Sequence, residues 1–201
     1  MKRSFNHTCL PEKVYKKYYI DDASGKPVIT ADLSSETTRV CPFDNASETV
    51  LEYLLIGYNA EIGVDTVQQV LNFVSKYGLP KRGAKKVNAE EFAEEAQALY
   101  LHCCEITAAE YPENPEWILE TENETAIIRR SSGDAYIEWQ TKNLSAAIEL
   151  AYTLLICGND RYIGICKHCG RPFAVINPKS EFCSAPCRNR YNVYKSRAKN
   201  S

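Results

Sequence analysis

Histidine is scarce in this chain: His7, His102 and His168 are all there is among 201 residues. That leaves little side-chain capacity for general-base chemistry near neutral pH, carboxylates excepted. The common catalytic and nucleotide-binding signatures are missing as well. There is no G-x-G-x-x-G, no G-x-x-x-x-G-K-[ST], no H-E-x-x-H and no G-x-S-x-G. Phosphate cradles, zinc-protease helices and nucleophile elbows need those residues at those spacings. A non-enzymatic role is therefore expected, with no catalytic residue assigned.

Long apolar runs are absent too. The best stretch, residues 146–157, is shorter than the ~20 residues of a membrane span and contains Glu149. The opening Met1-Lys2-Arg3-Ser4-Phe5-Asn6-His7 is basic but has no apolar run behind it. No secretory leader and no membrane contact are expected, and a reducing cytoplasm is the expected setting.

Acidic residues are nearly missing from one end. Residues 161–201 hold nine Lys and Arg against one acid, Glu181, for a net +8, whereas residues 1–160 hold 15 against 25, for a net −10. Such asymmetry points to two parts with different partners. The basic part suits a polyanion, of which nucleic acid is the commonest in the cytosol, duplex DNA above all. The alternative is that it docks on an acidic protein surface, either a partner's or that of its own body.

Cysteine, by contrast, is plentiful at nine. In a reducing compartment these are not a disulfide framework. Cys166 and Cys169 are separated by two residues, Cys183 and Cys187 by three, and thirteen residues lie between the pairs. Two close pairs of thiolates suit one tetrahedral Zn²⁺, and a shell closed by four protein ligands is structural rather than catalytic. A module of ~40 residues builds too little core to fold without its metal. His168 lies inside the first pair and is expected to be exposed, since the thiolates complete the shell.

The other cysteines read differently. Cys103, Cys104 and Cys157 stand in apolar, helix-like surroundings and are expected to be small buried hydrophobes. Cys9 and Cys41 lie near Pro11 and Pro42 in loops or strand ends, without the paired spacing of a second metal site. His102 and Cys103 are neighbours, but packing explains a helical cysteine better than a catalytic pair does. Glu90, Glu91, Glu94 and Glu95 read as a solvated helix face.

Residues 1–160 form an α+β body, mainly helical, with two short β-hairpins. Residues 14–20 and 27–33 flank the turn at 21–26, and residues 37–41 offer a further strand. Ser47 caps a first helix through Val50, Leu51, Leu54 and Leu55. A second helix follows Asp65 and ends at Gly78 before Pro80. Residues 81–86 are a basic loop. Asn88 caps a long helix through Phe92, Ala96, Leu99, Tyr100 and Cys103, and residues 111–115 break the chain. Residues 126–130 and 135–139 flank a second turn. Asn143 or Ser145 caps a last helix, which 158–160 end.

Residues 161–201 form the cysteine finger. Gly170 relieves crowding behind the knuckle. Residues 173–176 turn at 177–179 and return through 181–182 as a short hairpin. Ser184 caps a helix with Pro186 in its first turn, from which Cys187 projects. Knuckle, hairpin and ligand-bearing helix in that order describe a treble clef. The candidate nucleic-acid contacts are Arg171, Arg188, Asn189, Arg190, Tyr194, Lys195, Arg197 and Lys199. Cations meet phosphates, Asn and Arg read base edges, and Tyr stacks or bonds a phosphate. Packing of Tyr191 and Val193 on the zinc core, with the cations merely solvated, is the plainer alternative.

At these residues the C-terminal segment resembles the CGNR-type zinc finger of bacterial two-domain proteins. Their name comes from a Cys-Gly-Asn-Arg motif at the second cysteine pair, where this chain has Cys187-Arg188-Asn189-Arg190, with Arg188 in place of Gly. Residues 161–199, with Glu181-Phe182-Cys183-Ser184 before the last ligand, also resemble the tails of uncharacterised bacterial families. The likeness covers about a fifth of the chain, and residues 70–79 look like a helix end common in those proteins. It implies a DNA-binding treble clef beneath a regulatory N-terminal domain that senses a small-molecule effector, and hence a transcriptional regulator.

Overall fold

The computed structural model of the chain describes residues 7–9, 12–22, 25–39, 46–107, 124–131, 134–156, 163–177 and 179–199. Among these the fold is α+β and mainly helical, with five α-helices and small, mostly antiparallel sheets. The helices are α1 (Ala46–Glu61), α2 (Val67–Tyr77), α3 (Ala89–Thr107), α4 (Leu144–Ile156) and α5 (Ala185–Lys199). No helix of the described residues is long and apolar enough to cross a membrane.

Helix ends fall where side chains can satisfy open backbone groups. Asn88 Oδ1 accepts from the N–H of Glu90 at 2.8 Å and of Glu91 at 3.3 Å, which starts α3. Asn143 Oδ1 accepts from Ala146 N–H at 2.8 Å and starts α4. Gly78, at φ +94°, closes α2 by donating to Val74 O at 2.8 Å. These three are caps the sequence pattern indicates, whereas α1 begins at Ala46 and takes Ser47, expected as its cap, into the first turn.

The core lies among α1 to α4. At Gly57 on α1 two helices touch through their backbones: a Cβ there would stand 2.2 Å from the carbonyl oxygen of Ala96 on α3. The bare glycine lets the two backbones touch. Around this crossing, Tyr53, Phe73, Tyr77 and Phe92 form an aromatic layer with ring centroids 4.7–5.7 Å apart. Such edge-on and tilted pairs add to plain area burial.

The strand β1 (His7–Cys9) runs parallel to β8 (Asp134–Thr141), which pairs with β7 (Glu124–Ser131) in the expected second hairpin. The first hairpin is more broken than its sequence suggests. Instead of one strand over 14–20 there are two, β2 (Glu12–Tyr15) and β3 (Tyr18–Asp21). β3 pairs with β4 (Val28–Ala31), while β2 pairs with β5 (Glu36–Arg39). The switch is possible because Ser35 Oγ accepts the N–H groups of Lys16 and Lys17, at 3.2 and 3.1 Å, where the ladder lapses. A third partner, β6 (Lys86–Asn88), adds to β4 just after the basic loop.

The cysteine segment also pairs differently. β9 (Ile163–Ile165) and β10 (Pro172–Ala174) are antiparallel, with Phe173 opposite Gly164. The sequence predicts that residues 173–176 pair forward with 181–182, yet β10 pairs backward with β9 across the knuckle. Gly164 explains why: a Cβ there would come within 3.0 Å of the Phe173 ring and 2.9 Å of Val175, so its absence seats both side chains. The return segment meets the knuckle through Lys167 N–H, which donates to Glu181 O at 3.0 Å. Cys41, Cys157, the break at 111–115 and the helix end at 158–160 lie outside the described residues.

Candidate metal centre

Cys166 follows β9 directly and is buried. Its carbonyl accepts from Gly170 N–H at 2.9 Å, and its own N–H donates to Arg171 O at 3.0 Å. The turn brings Cys169 back beside it. Gly170 sits at φ +74°, a left-handed conformation that glycine adopts without strain. The second pair is fixed by the start of α5. Ser184 Oγ accepts from Cys187 N–H at 3.4 Å, the expected N-cap, so Cys187 leaves the first turn toward the knuckle.

The four sulfurs of Cys166, Cys169, Cys183 and Cys187 converge within 4.8 Å of one another. Cys169 and Cys183 Sγ are 3.8 Å apart, Cys183 and Cys187 3.5 Å, and Cys187 and Cys169 3.9 Å. A disulfide needs about 2.0 Å. A tetrahedron of sulfurs around an ion at a metal–sulfur distance of about 2.3 Å has edges of about 3.8 Å. The observed spacing fits the second case, and the four thiols could hold one metal ion.

Their electrostatics point the same way. Burial works against the Cys166 thiolate, but backbone N–H groups of Cys183, Cys169 and His168 outweigh it and bring the thiol down to about 7. Burial pushes Cys183 up to about 12, helped by the Cys187, Cys166 and Cys169 sulfurs around it. Burial likewise raises Cys169. Four crowded thiols cannot all ionise against one another, and a cation at their centre removes that repulsion.

Two tyrosines carry the knuckle on the helices. Tyr58 of α1 donates to Cys169 O at 3.2 Å, and Tyr100 of α3 donates to Gly170 O at 2.9 Å. Their rings meet edge-on at 5.7 Å. Ile163 of β9 is buried in the same core as α1 and α3. The sequence pattern places Tyr100 on the apolar face of α3 but shows neither tyrosine's bond to the knuckle, because nothing local distinguishes a helical Tyr that packs inward from one that caps a distant turn.

On the other side of the sulfurs, α5 has no buried residue. Two rings tie it to the knuckle: Tyr191 against Phe182, centroids 5.2 Å apart, and Tyr194 stacked on His168 at 5.8 Å and 27°. His168, expected to be exposed, is half-buried for that reason. Tyr191 packs as the plainer alternative holds, whereas Val193 is 48% exposed. Tyr194 keeps an exposed edge although its ring is stacked. Arg188, Asn189, Arg190, Lys195, Arg197 and Lys199 are exposed along α5, and Arg171 is exposed on the knuckle itself.

The remaining candidates lie on α3. Cys103 is buried and Cys104 half-buried, close to the Tyr100 hydroxyl. His102 Nδ1 lies 2.8 Å from Tyr152 OH, so its partner is a core phenol. Glu90, Glu91, Glu94 and Glu95 are exposed on α3, as a solvated face would be. Comparison of the chain with protein-family models, curated proteins and solved structures gives no match.

Proposed function

We propose that Cys166, Cys169, Cys183 and Cys187 hold one structural Zn²⁺ in a treble-clef finger, and that the helix this ion fixes, α5, binds duplex DNA. Zinc is the natural occupant, since four thiolates in a closed tetrahedral shell leave no position for catalysis. The observation that carries the DNA reading is α5 itself. It bears five cations and no acid, and none of its residues is buried. A helix of that charge, anchored at one end by a metal ligand, is an electrostatic footprint for phosphates.

The resemblance to CGNR-type fingers supports a cytoplasmic regulator of bacterial type, with no catalytic activity. In that role residues 1–160 sense a small-molecule effector and the finger meets DNA. The test is binding of duplex DNA by the full chain as salt is varied. Log affinity falls linearly with log salt, by about 0.9 per phosphate neutralised. Binding indifferent to salt, or absent at low salt, rejects the reading.

A second reading has one observation in its favour. Tyr58 and Tyr100 already tie the knuckle to the helices, so the zinc would serve only to staple the fold while α5 docks on an acidic protein surface. Cross-links between residues 185–199 and an acidic partner, or residues 1–160, in the absence of DNA binding favour that reading.

A further inference from the structure

Successive residues of an α-helix are about 100° apart around its axis. The contacts of α5 fix which side faces the metal. Cys187, Tyr191 and Tyr194 lie within a sector of about 60° and all meet the knuckle or its neighbour Phe182. The rest of the helix is sorted with respect to that side. Arg188, Lys195 and Lys199 fall in one row, about 100° round in one direction. Arg190 and Arg197 fall in another, about 70° round in the other. Between the rows, directly opposite the metal, lie Asn189, Asn192, Val193 and Ser196, all exposed and none charged.

Resting on the DNA-binding reading above, we propose that this uncharged strip is a base-reading face and that α5 lies in the major groove, with the two cation rows on the flanking phosphate backbones. A helix of about 10–12 Å diameter fills a groove about 12 Å wide. Cations on opposite flanks then meet the strands that border the groove, while the strip opposite the metal faces its floor. The chemistry of the strip suits base edges. Asn pairs bidentately with the N6 and N7 edge of adenine, a hydroxyl meets either a donor or an acceptor, and an apolar side chain meets the thymine methyl. A solvated helix needs no such sorting: its cations would be scattered around the exposed arc. From Asn189 to Ser196 the helix rises about 10 Å, the length of about three base pairs. The ligand class is therefore B-form DNA with a short core containing A·T pairs. A-form RNA is excluded as the target because its major groove is too narrow and deep for a helix.

The experiment uses the full, zinc-loaded chain. A duplex is selected from a random-sequence pool, and anisotropy titrations compare it with a scrambled duplex. Asn189→Ala with Asn192→Ala is expected to weaken the selected duplex by about fivefold to a hundredfold, leaving the scrambled duplex and the salt slope unchanged. Arg188→Ala with Lys195→Ala is expected to weaken both duplexes equally and to flatten the salt slope by about one unit per cation. All four positions are exposed, and zinc content checks that each variant is folded. Salt-dependent binding without any consensus overturns the base-reading face while leaving DNA binding intact. So does equal loss on both duplexes in the asparagine variant, or equal competition by double-stranded RNA of the selected sequence. Absence of DNA binding at any salt rejects the underlying function as well.

Discussion

The hydroxyl of Tyr100 donates to the carbonyl oxygen of Gly170 at 2.9 Å, joining the middle of α3 to the turn that presents Cys166 and Cys169. The same turn receives Tyr58 at the next carbonyl back. The position of Cys166 and Cys169, two of the four converging cysteines, is therefore set partly by helices remote in sequence.

Removing that hydroxyl should loosen the knuckle without emptying it. Tyr100→Phe leaves the Gly170 carbonyl short of a partner and is expected to cost about 1 kcal/mol. Tyr58→Phe should cost a similar or smaller amount, because its bond is longer. Thermal unfolding measures the loss. Hydrogen exchange at 166–171 should accelerate more than exchange in α2. Unchanged exchange at the knuckle would mean that the sulfurs alone hold it.

The α1–α3 crossing makes a sharper prediction. Gly57→Ala drives a methyl to within 2.2 Å of a backbone carbonyl oxygen. No rotamer can relieve such a contact, so the helices must part. The expected cost is about 3 kcal/mol or more, read from the midpoint of chemical denaturation. Wild-type stability in this variant would contradict the crossing.

Metal uptake should release protons and weaken in acid. Without metal the cysteines carry their protons at pH 7.5, as unfolded thiols do at their ordinary pKa of about 8.5, and in the folded cluster burial raises Cys169 and Cys183 further. Each must become a thiolate to bind. As pH falls, protons compete more strongly, so the sign is a loss of affinity towards acid. Calorimetric titration with zinc in buffers of different ionisation enthalpy should report at least two protons released. Fewer would mean that the thiols are already ionised.

How much of this was legible beforehand depends on the range of the interaction responsible. The clustering of the four cysteines and the Ser184 cap follow from local spacing, and the structure brings those residues together. The Asn88 and Asn143 caps and the Gly78 stop are equally local. What escaped depends on tertiary partners. The break at Lys16 and Lys17 needs the hydroxyl of Ser35, nearly twenty residues away. The backward pairing of β10 depends on Gly164 across the knuckle. His168 is half-buried because Tyr194 comes round on α5 to cover it. Tyr58 and Tyr100 are the clearest case, since their roles exist only once α1 and α3 lie side by side.

The central claim is that the four cysteines hold one zinc ion that fixes α5. Its most direct test is the metal content of the full chain purified without added metal, read by native mass spectrometry. The account predicts one zinc per chain, lost in Cys183→Ser together with the helical signal of residues 185–199. A folded, metal-free chain with four freely titrating thiols at Cys166, Cys169, Cys183 and Cys187 would contradict it.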